Sequence, residues 1–245
     1  MPSPVYFAYG SNLDEGQMRG RCPGGRVAGV AMLPDHVLAF AGHSEACDGA
    51  TATVIASAGA RVPGLLYVLG EVDWRRLDRR EGFPTVYAKR SVVVCDAQDA
   101  RVGVTTYVHT RPAGGQPGRG YLERIRKAYA GLGFDEVPLL LAAGDLMRLF
   151  VYGTLRRGES NHRWMSGLRC LGVARTRAAY TRLELGAYPG LLEGGQDEVP
   201  GELYAVDAAA LDRLDRFEGH PTLFERRPIG LSDGSSAEAY LYRGG

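Results

Sequence analysis

Lysine is almost missing from this 245-residue chain: Lys89 and Lys127 are its only two, and every other Lys/Arg position is arginine. Charge of one sign is missing as well. The formal net charge is +1, so no overall field draws the chain to nucleic acid or to an anionic membrane. Long apolar runs do not occur, and nothing approaches the roughly 18 consecutive apolar residues of a membrane span. The opening MPSPVYF has neither the basic region nor the apolar core of a secretory signal. The four cysteines, Cys22, Cys47, Cys95 and Cys170, show no CxxC spacing. That argues against a disulfide or metal framework and fits reduced thiols in a cytoplasmic protein. HExxH, P-loop and GxGxxG motifs are absent, and the five histidines form no ligand-spaced pair, so no metal or cofactor is expected. Gly42-His43-Ser44-Glu45-Ala46 has the outline of a nucleophile elbow, but it ends in Ala and lacks strand–turn–helix surroundings.

What is present is repetition. VYFAYGSNL (5–13) and LFVYGTLRR (149–157) each end an apolar run in Tyr-Gly and a hydroxyl residue, 143 residues apart. VPGLLYVLGEVDWRRLDRREGFPTVYAKR from Val62 and VPGELYAVDAAALDRLDRFEGHPTLFERR from Val199 match at an offset of 137. One loop can absorb the six-residue difference, so two copies of one domain are expected, over residues 1–147 and 148–245. Each copy reads as a strand ending at Tyr-Gly, a second strand entered through Val-Pro-Gly, a short helix, and further strands. The helix is expected to start at an Asp N-cap, Asp73 or Asp207, and to stop at Gly82 or Gly219. Strands with one short helix, without regular β-α-β alternation, predict an α+β or small-barrel architecture. Copy one alone carries residues 118–147, in which Tyr121, Leu122, Ile125, Ala128 and Tyr129 fall at helical spacing and Gly131 breaks the run. Arg124, Arg126 and Lys127 make that helix basic, and without an aromatic stacking pattern they read as a solvated face.

Two features carry chemistry. Trp74, Leu77 and Glu81 in copy one, and Leu211, Leu214 and Glu218 in copy two, stand at i, i+3 and i+7. That spacing puts a carboxylate on the stripe that faces the core. The carboxylate also lies in the last helical turn, where the macrodipole disfavours negative charge. Burial and dipole both raise a carboxyl pKa. Glu81 and Glu218 therefore either mark an exposed helix end or are proton-transfer groups. In the Tyr-Gly-Ser/Thr turn, successive backbone N–H groups can converge on an anion. Gly10 and Gly153 permit close approach, Ser11 and Thr154 add a hydroxyl, and Asn12 an amide. A plain β-turn is the competing reading. Nest and carboxyl together suit a small anionic molecule that needs a proton moved.

Copy one, through FAYGSNL, DGATATVIAS, VPGLLYVL, LDRREG and GYLERIRKAYAGLG, resembles the gamma-glutamyl cyclotransferases along nearly its whole length. Copy two, through LFVYGTLRRGESNH, AYPGLL, VPGELYAV and LDRFEG, is similar to the related gamma-glutamylamine cyclotransferases. The Gly/Pro-rich segment near 112–118 and the tail lie outside the likeness. The resemblance implies an α+β fold in which each copy is a small mixed β-barrel flanked by short helices. It also implies a metal-free reaction in which the α-amine of a gamma-glutamyl amide attacks its own γ-carbonyl, releasing 5-oxoproline and an amine or amino acid. The catalytic glutamates would be Glu81 and Glu218. The glutamyl group would sit on Tyr9, Gly10, Ser11, Asn12 and Leu13 in copy one, and on Tyr152, Gly153, Thr154 and Leu155 in copy two, with Tyr107 and Tyr121 lining the first pocket. A tandem enzyme of this kind also suits removal of a gamma-glutamyl protecting group from a biosynthetic intermediate. The implied partner is a small-molecule gamma-glutamyl substrate, with no nucleic acid and no membrane, and the two copies are expected to pack on each other. The alternatives are a module that binds a carboxylate or gamma-glutamyl ligand without turnover, or one active copy with a structural second copy.

Overall fold

The computed structural model describes residues 4–111, 113–186 and 188–244. Outside them lie the first three residues of MPSPVYF, Pro112 of the Gly/Pro-rich segment, Ala187 of AYPGLL, and Gly245 of the tail. The chain divides into two compact units, residues 1–143 and 144–245.

Unit 1 is a closed barrel. Its strands are β1 (Val5–Ala8), β2 (Arg26–Ser44), β3 (Gly49–Val68), β4 (Tyr87–Asp96) and β5 (Arg101–His109), in the order β1-β3-β2-β4-β5. All neighbours are antiparallel except β1 and β5, which meet in parallel at Tyr6 and Thr105. Its helices are α1 (Glu15–Arg21), α2 (Glu71–Glu81), α3 (Arg119–Leu132) and α4 (Val137–Ala143). Phe7, Leu33, Phe40, Leu65 and Leu77 are among the side chains sealed in the core. The Val-Pro-Gly entry to the second strand has a packing reason. A Cβ on Gly64 would lie 2.4 Å from the Phe7 ring and from the Ala8 carbonyl, so only glycine lets β1 and β3 close over that ring.

Unit 2 repeats the strand order in fewer residues, but where a second barrel was expected its strands form a five-stranded sheet that is not closed and a separate two-stranded one. Its strands are β6 (Met147–Val151), β7 (Arg169–Arg175), β8 (Tyr180–Glu184), β9 (Pro189–Glu193), β10 (Pro200–Val206), β11 (Phe224–Gly230) and β12 (Ser236–Tyr242), and its helix is α5 (Ala208–Glu218). Five of the strands form a sheet in the order β11-β12-β6-β10-β7, and β8 pairs with β9. That order is the unit 1 order, with the parallel contact kept between β12 and β6. Gly201 keeps the role of Gly64, since its Cβ would meet the Phe150 ring at 2.5 Å. The seam that joins β2 to β4 in unit 1 is reduced here to one bridge, Thr176 to Leu231. Two further bonds flank it, Arg177 N–H to the Gly230 carbonyl and Ser232 N–H to the Arg175 carbonyl.

The helices correct two expectations. α2 begins at Glu71 with Gly70 at its N-cap, and Asp73 lies inside the first turn. Asp207 does cap α5, accepting from Ala210 N at 2.7 Å. In the 137-residue register the counterpart of Asp207 is Gly70, not Asp73, so the two helices start alike with different caps. α3 continues through Gly131 and stops at Gly133 in the left-handed conformation. One glycine costs a helix only about 1 kcal/mol, and the buried Leu122, Ile125 and Tyr129 hold the helix together.

Candidate active site

In unit 1 the Tyr9-Gly10-Ser11 turn and the end of α2 meet at a cavity with about 290 Å³ of empty space. The chain leaves β1 and makes one 3-10 turn over Ser11–Leu13. The Ser11 and Asn12 N–H groups open this turn, where amides have no intrahelical partner. Gly10 lets the turn lie against β3, because a Cβ there would stand 2.9 Å from Ala52 Cβ. Glu81 is the last residue of α2, beyond Trp74 and Leu77, and the side chains of those two are buried. The Glu81 side chain keeps 16% of its surface exposed. Its Oε1 accepts from Asn12 Nδ2 at 3.0 Å and lies 3.8 Å from Arg21 Nη1. Burial raises its pKa, while the Asn12 amide, Arg21 and Arg80 pull it back. Asn12 is itself fixed: its amide also donates to Tyr6 Oη at 2.9 Å, and its Oδ1 accepts from Arg21.

Tyrosines line the rest of the cavity. Tyr121, on α3, accepts from Ala52 N–H at 3.2 Å. Tyr87 donates to the Ala52 carbonyl at 2.8 Å, and its Oη lies 2.7 Å from Thr51 Oγ1, whose hydroxyl can donate to it. Tyr9 donates to the Tyr107 carbonyl. Thus Tyr9, Gly10, Ser11, Asn12, Tyr107 and Tyr121 stand around Glu81, whereas Leu13 is buried in the core and does not line this cavity.

Unit 2 repeats the arrangement with other walls. Tyr152, Gly153, Thr154 and Leu155 line a larger cavity, with about 630 Å³ of empty space, and Glu218 stands in it. Pro189 takes the place of Ala52 against Gly153, its Cγ 2.8 Å from where a Cβ would lie. Among the described residues unit 2 has no counterpart of α3 and so none of Tyr121, and Pro189 has no N–H that needs an acceptor. Asn161 Nδ2 donates to Thr154 Oγ1 at 3.1 Å. Leu155 replaces Asn12, so Glu218 has no hydrogen-bond partner among the described residues. Burial alone pushes its carboxyl up to about 7.

A second polar group lies behind both glutamates. One helical turn before Glu81, Asp78 accepts from Tyr107 Oη at 2.6 Å and from Lys89 Nζ at 2.8 Å. One turn before Glu218, Asp215 accepts from Tyr240 Oη at 2.7 Å and from Arg226 Nε at 2.9 Å. Tyr152 Oη donates to the Tyr240 carbonyl at 2.7 Å, as Tyr9 does to Tyr107. In each unit one strand tyrosine therefore ties the turn to the helix that carries the glutamate. The sequence reading missed these acids, although both lie in the repeated LDRREG and LDRFEG. It also missed Arg21, Ala52 and Tyr87 in unit 1 and Asn161, Tyr188, Pro189, Phe217, Leu223 and Phe224 in unit 2, all but Arg21 inside the quoted motifs, because a motif does not say which of its side chains reach the cavity.

A half-buried carboxyl set against a glycine turn, twice in one chain, defines an acid–base site scaled for a small molecule. Among the described residues, no group of three or more His, Cys, Asp or Glu can hold a metal ion, and no helix is long and apolar enough to cross a membrane. The family model described as "Gamma-glutamyl cyclotransferase, AIG2-like" matches residues 6–124 and 149–244. Over 95 residues the chain is 45% identical to a Vibrio cholerae protein provisionally named a gamma-glutamylcyclotransferase, covering 39% of this chain and 81% of that one. Over 109 residues it is 36% identical to gamma-glutamylaminecyclotransferase A of Danio rerio, covering 39% of this chain and 68% of that one. A solved structure titled gamma-glutamyl cyclotransferase superposes with TM-score 0.53 at 27% identity, covering 57% of this chain and 86% of that one. The chain belongs to the gamma-glutamyl cyclotransferase, AIG2-like family, with one match in each unit. This kinship supports a cyclotransferase activity in general terms.

Proposed function

We propose that both units release 5-oxoproline from gamma-glutamyl amides. The observation that carries this reading is the pairing, in each unit, of a desolvated glutamate with a Tyr-Gly turn across one cavity. The substrate's α-ammonium cannot attack until it loses a proton, and Glu81 or Glu218 as carboxylate takes it. The freed α-nitrogen bonds to the γ-carbonyl carbon, closing the ring. The bond from that carbon to the amide nitrogen then breaks, the glutamic acid returns its proton to the leaving nitrogen, and the ring nitrogen passes its surplus proton to the departing amine, which leaves as the ammonium. One group serves as base and then acid, and a raised pKa suits both steps. Because the attack is intramolecular, its effective concentration is already high and no protein nucleophile is needed. The free N–H groups of the Ser11–Asn12 turn, and of its counterpart at Thr154, would take the substrate carboxylate. Removal of a gamma-glutamyl cap from a larger amine is the same chemistry.

The test is 5-oxoproline release from a panel of gamma-glutamyl dipeptides, gamma-glutamyl amines and glutathione, by the native chain and by Glu81→Gln, Glu218→Gln and the double variant. Each single variant is expected to lose part of the activity, and the double variant all but a residue, by about 10²–10⁴-fold. Turnover surviving in the double variant would remove the mechanism. Loss in one single variant alone would assign the activity to that unit.

A further inference from the structure

The two sites share one half and differ in the other. The Tyr-Gly turn, its hydroxyl residue, the glutamate and the tyrosine on β5 or β12 occur in both. The differences gather on the remaining wall, where Asn12 becomes Leu155 and Tyr87 becomes Phe224, and where Phe217, at the position of the exposed Arg80, joins the lining. If both units cyclise a gamma-glutamyl group, the shared half meets the part common to all substrates. The wall that differs meets the amine that leaves. In unit 1 the lining is Asn12 and tyrosines, without Lys, Arg or His, and Arg21 and Arg80 act on Glu81 from outside it. In unit 2 Phe217, Leu223 and Phe224 line the larger cavity beside Tyr188, and no Lys, Arg or His is among its lining residues.

We propose that the second unit takes gamma-glutamyl amides whose leaving amine has an apolar body and no carboxylate, with Phe217, Leu223 and Phe224 selecting it. The inference rests on the cyclotransferase reading above. A carboxylate on the leaving group would enter an apolar cavity without a counter-ion, next to a glutamate that is itself unpaired. A buried anion so placed is strongly disfavoured. An alkyl or aryl body instead covers the two phenylalanine rings and gains from leaving water.

The experiment silences unit 1 with Glu81→Gln and compares gamma-glutamyl-benzylamine with gamma-glutamyl-4-carboxybenzylamine, which differ only in the charge. The expected kcat/KM for the benzylamide is at least about tenfold higher. Adding Leu223→Arg, at a position that is 41% exposed and so tolerant of a longer side chain, is expected to narrow that gap by about tenfold, with circular dichroism confirming the fold. Equal rates, or a preference for the carboxylated substrate, overturn the proposal while 5-oxoproline formation leaves the cyclotransferase reading standing. Silence of the Glu81→Gln chain on both substrates also overturns it. The Glu218→Gln chain then decides the reading itself: release of 5-oxoproline from any gamma-glutamyl substrate keeps it for unit 1, and none removes it.

Discussion

Asn12 and Leu155 occupy one position in two copies and set different proton chemistry. The Asn12 amide donates to ionised Glu81 and favours that form; Leu155 offers Glu218 nothing. In a chain whose second site is silenced by Glu218→Gln, Asn12→Leu is expected to raise the acid limb of the pH–rate profile by about one unit. That is the size of one hydrogen bond to a charged group at roughly 1.4 kcal/mol per unit. A limb that stays in place would mean that Glu81 is not the titrating base. Glu218 also carries a stability signature. Its folded pKa of about 7 lies above the ordinary 4.5, so the native state holds its proton longer than the unfolded chain does. Its favourable contribution is full below pH 4.5 and is lost as pH rises through 7, because ionisation then takes place in a desolvated site. Glu218→Gln is therefore expected to match the native chain in urea at pH 4.5 and to exceed it at pH 8, by up to about 3 kcal/mol at roughly 1.4 kcal/mol per unit. Equal midpoints at pH 8 would show that the carboxylate is solvated.

At the scale of elements, α2 and α5 do two tasks: they seal a core through Leu77 and Leu214 and present a carboxyl at their last residue. Asp78 and Asp215 fix that end. Asp215 holds Arg226 and Tyr240 at once, with both acid and arginine partly buried. Asp215→Ala takes the acceptor from Tyr240 Oη and from Arg226 Nε, leaves Arg226 only its pairing with Glu238, and frees the helix end. The expected cost is about 1–3 kcal/mol in thermal or urea unfolding, together with a fall in kcat of up to about 100-fold from misplacement of Glu218. Asp215→Asn, which can still accept, should recover much of the kcat; an equal loss in both would make the pair merely structural. The helices also show what a sequence can disclose. The 3.6-residue stripe and the terminal glycines are local patterns, and they placed Glu81, Glu218 and both helix ends. The start of α2 was not legible, because Asp73 looks like a cap and is held inside the first turn by its neighbours. The cavity walls were less legible still. Ala52 and Tyr87, or Pro189 and Phe224, reach the site from separate strands, and only strand register brings them there.

At the scale of the whole molecule, the duplication was readable from paired motifs, and so were the α+β class and the barrel of unit 1. What did not show in the residues is how far each sheet closes on itself. Unit 1 closes between the long β2 and β4 through Ala31–Met32 against Cys95–Asp96. In unit 2 the corresponding edges are joined, among the described residues, by one isolated bridge at the buried Thr176, whose Oγ1 accepts from Val199 N–H at 2.9 Å. Unit 2 is also the shorter unit, and smaller domains bury a smaller fraction of their surface. It should therefore unfold first. The chain reports this directly, because its two tryptophans, Trp74 and Trp164, fall one in each unit. Fluorescence-monitored urea unfolding at pH 8, where Glu218 is ionised, is expected to show two transitions. A deficit of about 2 kcal/mol separates them by roughly 1 M, for a slope near 2 kcal/mol per M. Trp164→Phe should delete the earlier transition and leave the later one unmoved. Glu218→Gln should shift the earlier one toward it. A single transition that keeps its midpoint in both variants would mean that the units unfold as one, and that the thin seam of the second unit costs it nothing measurable.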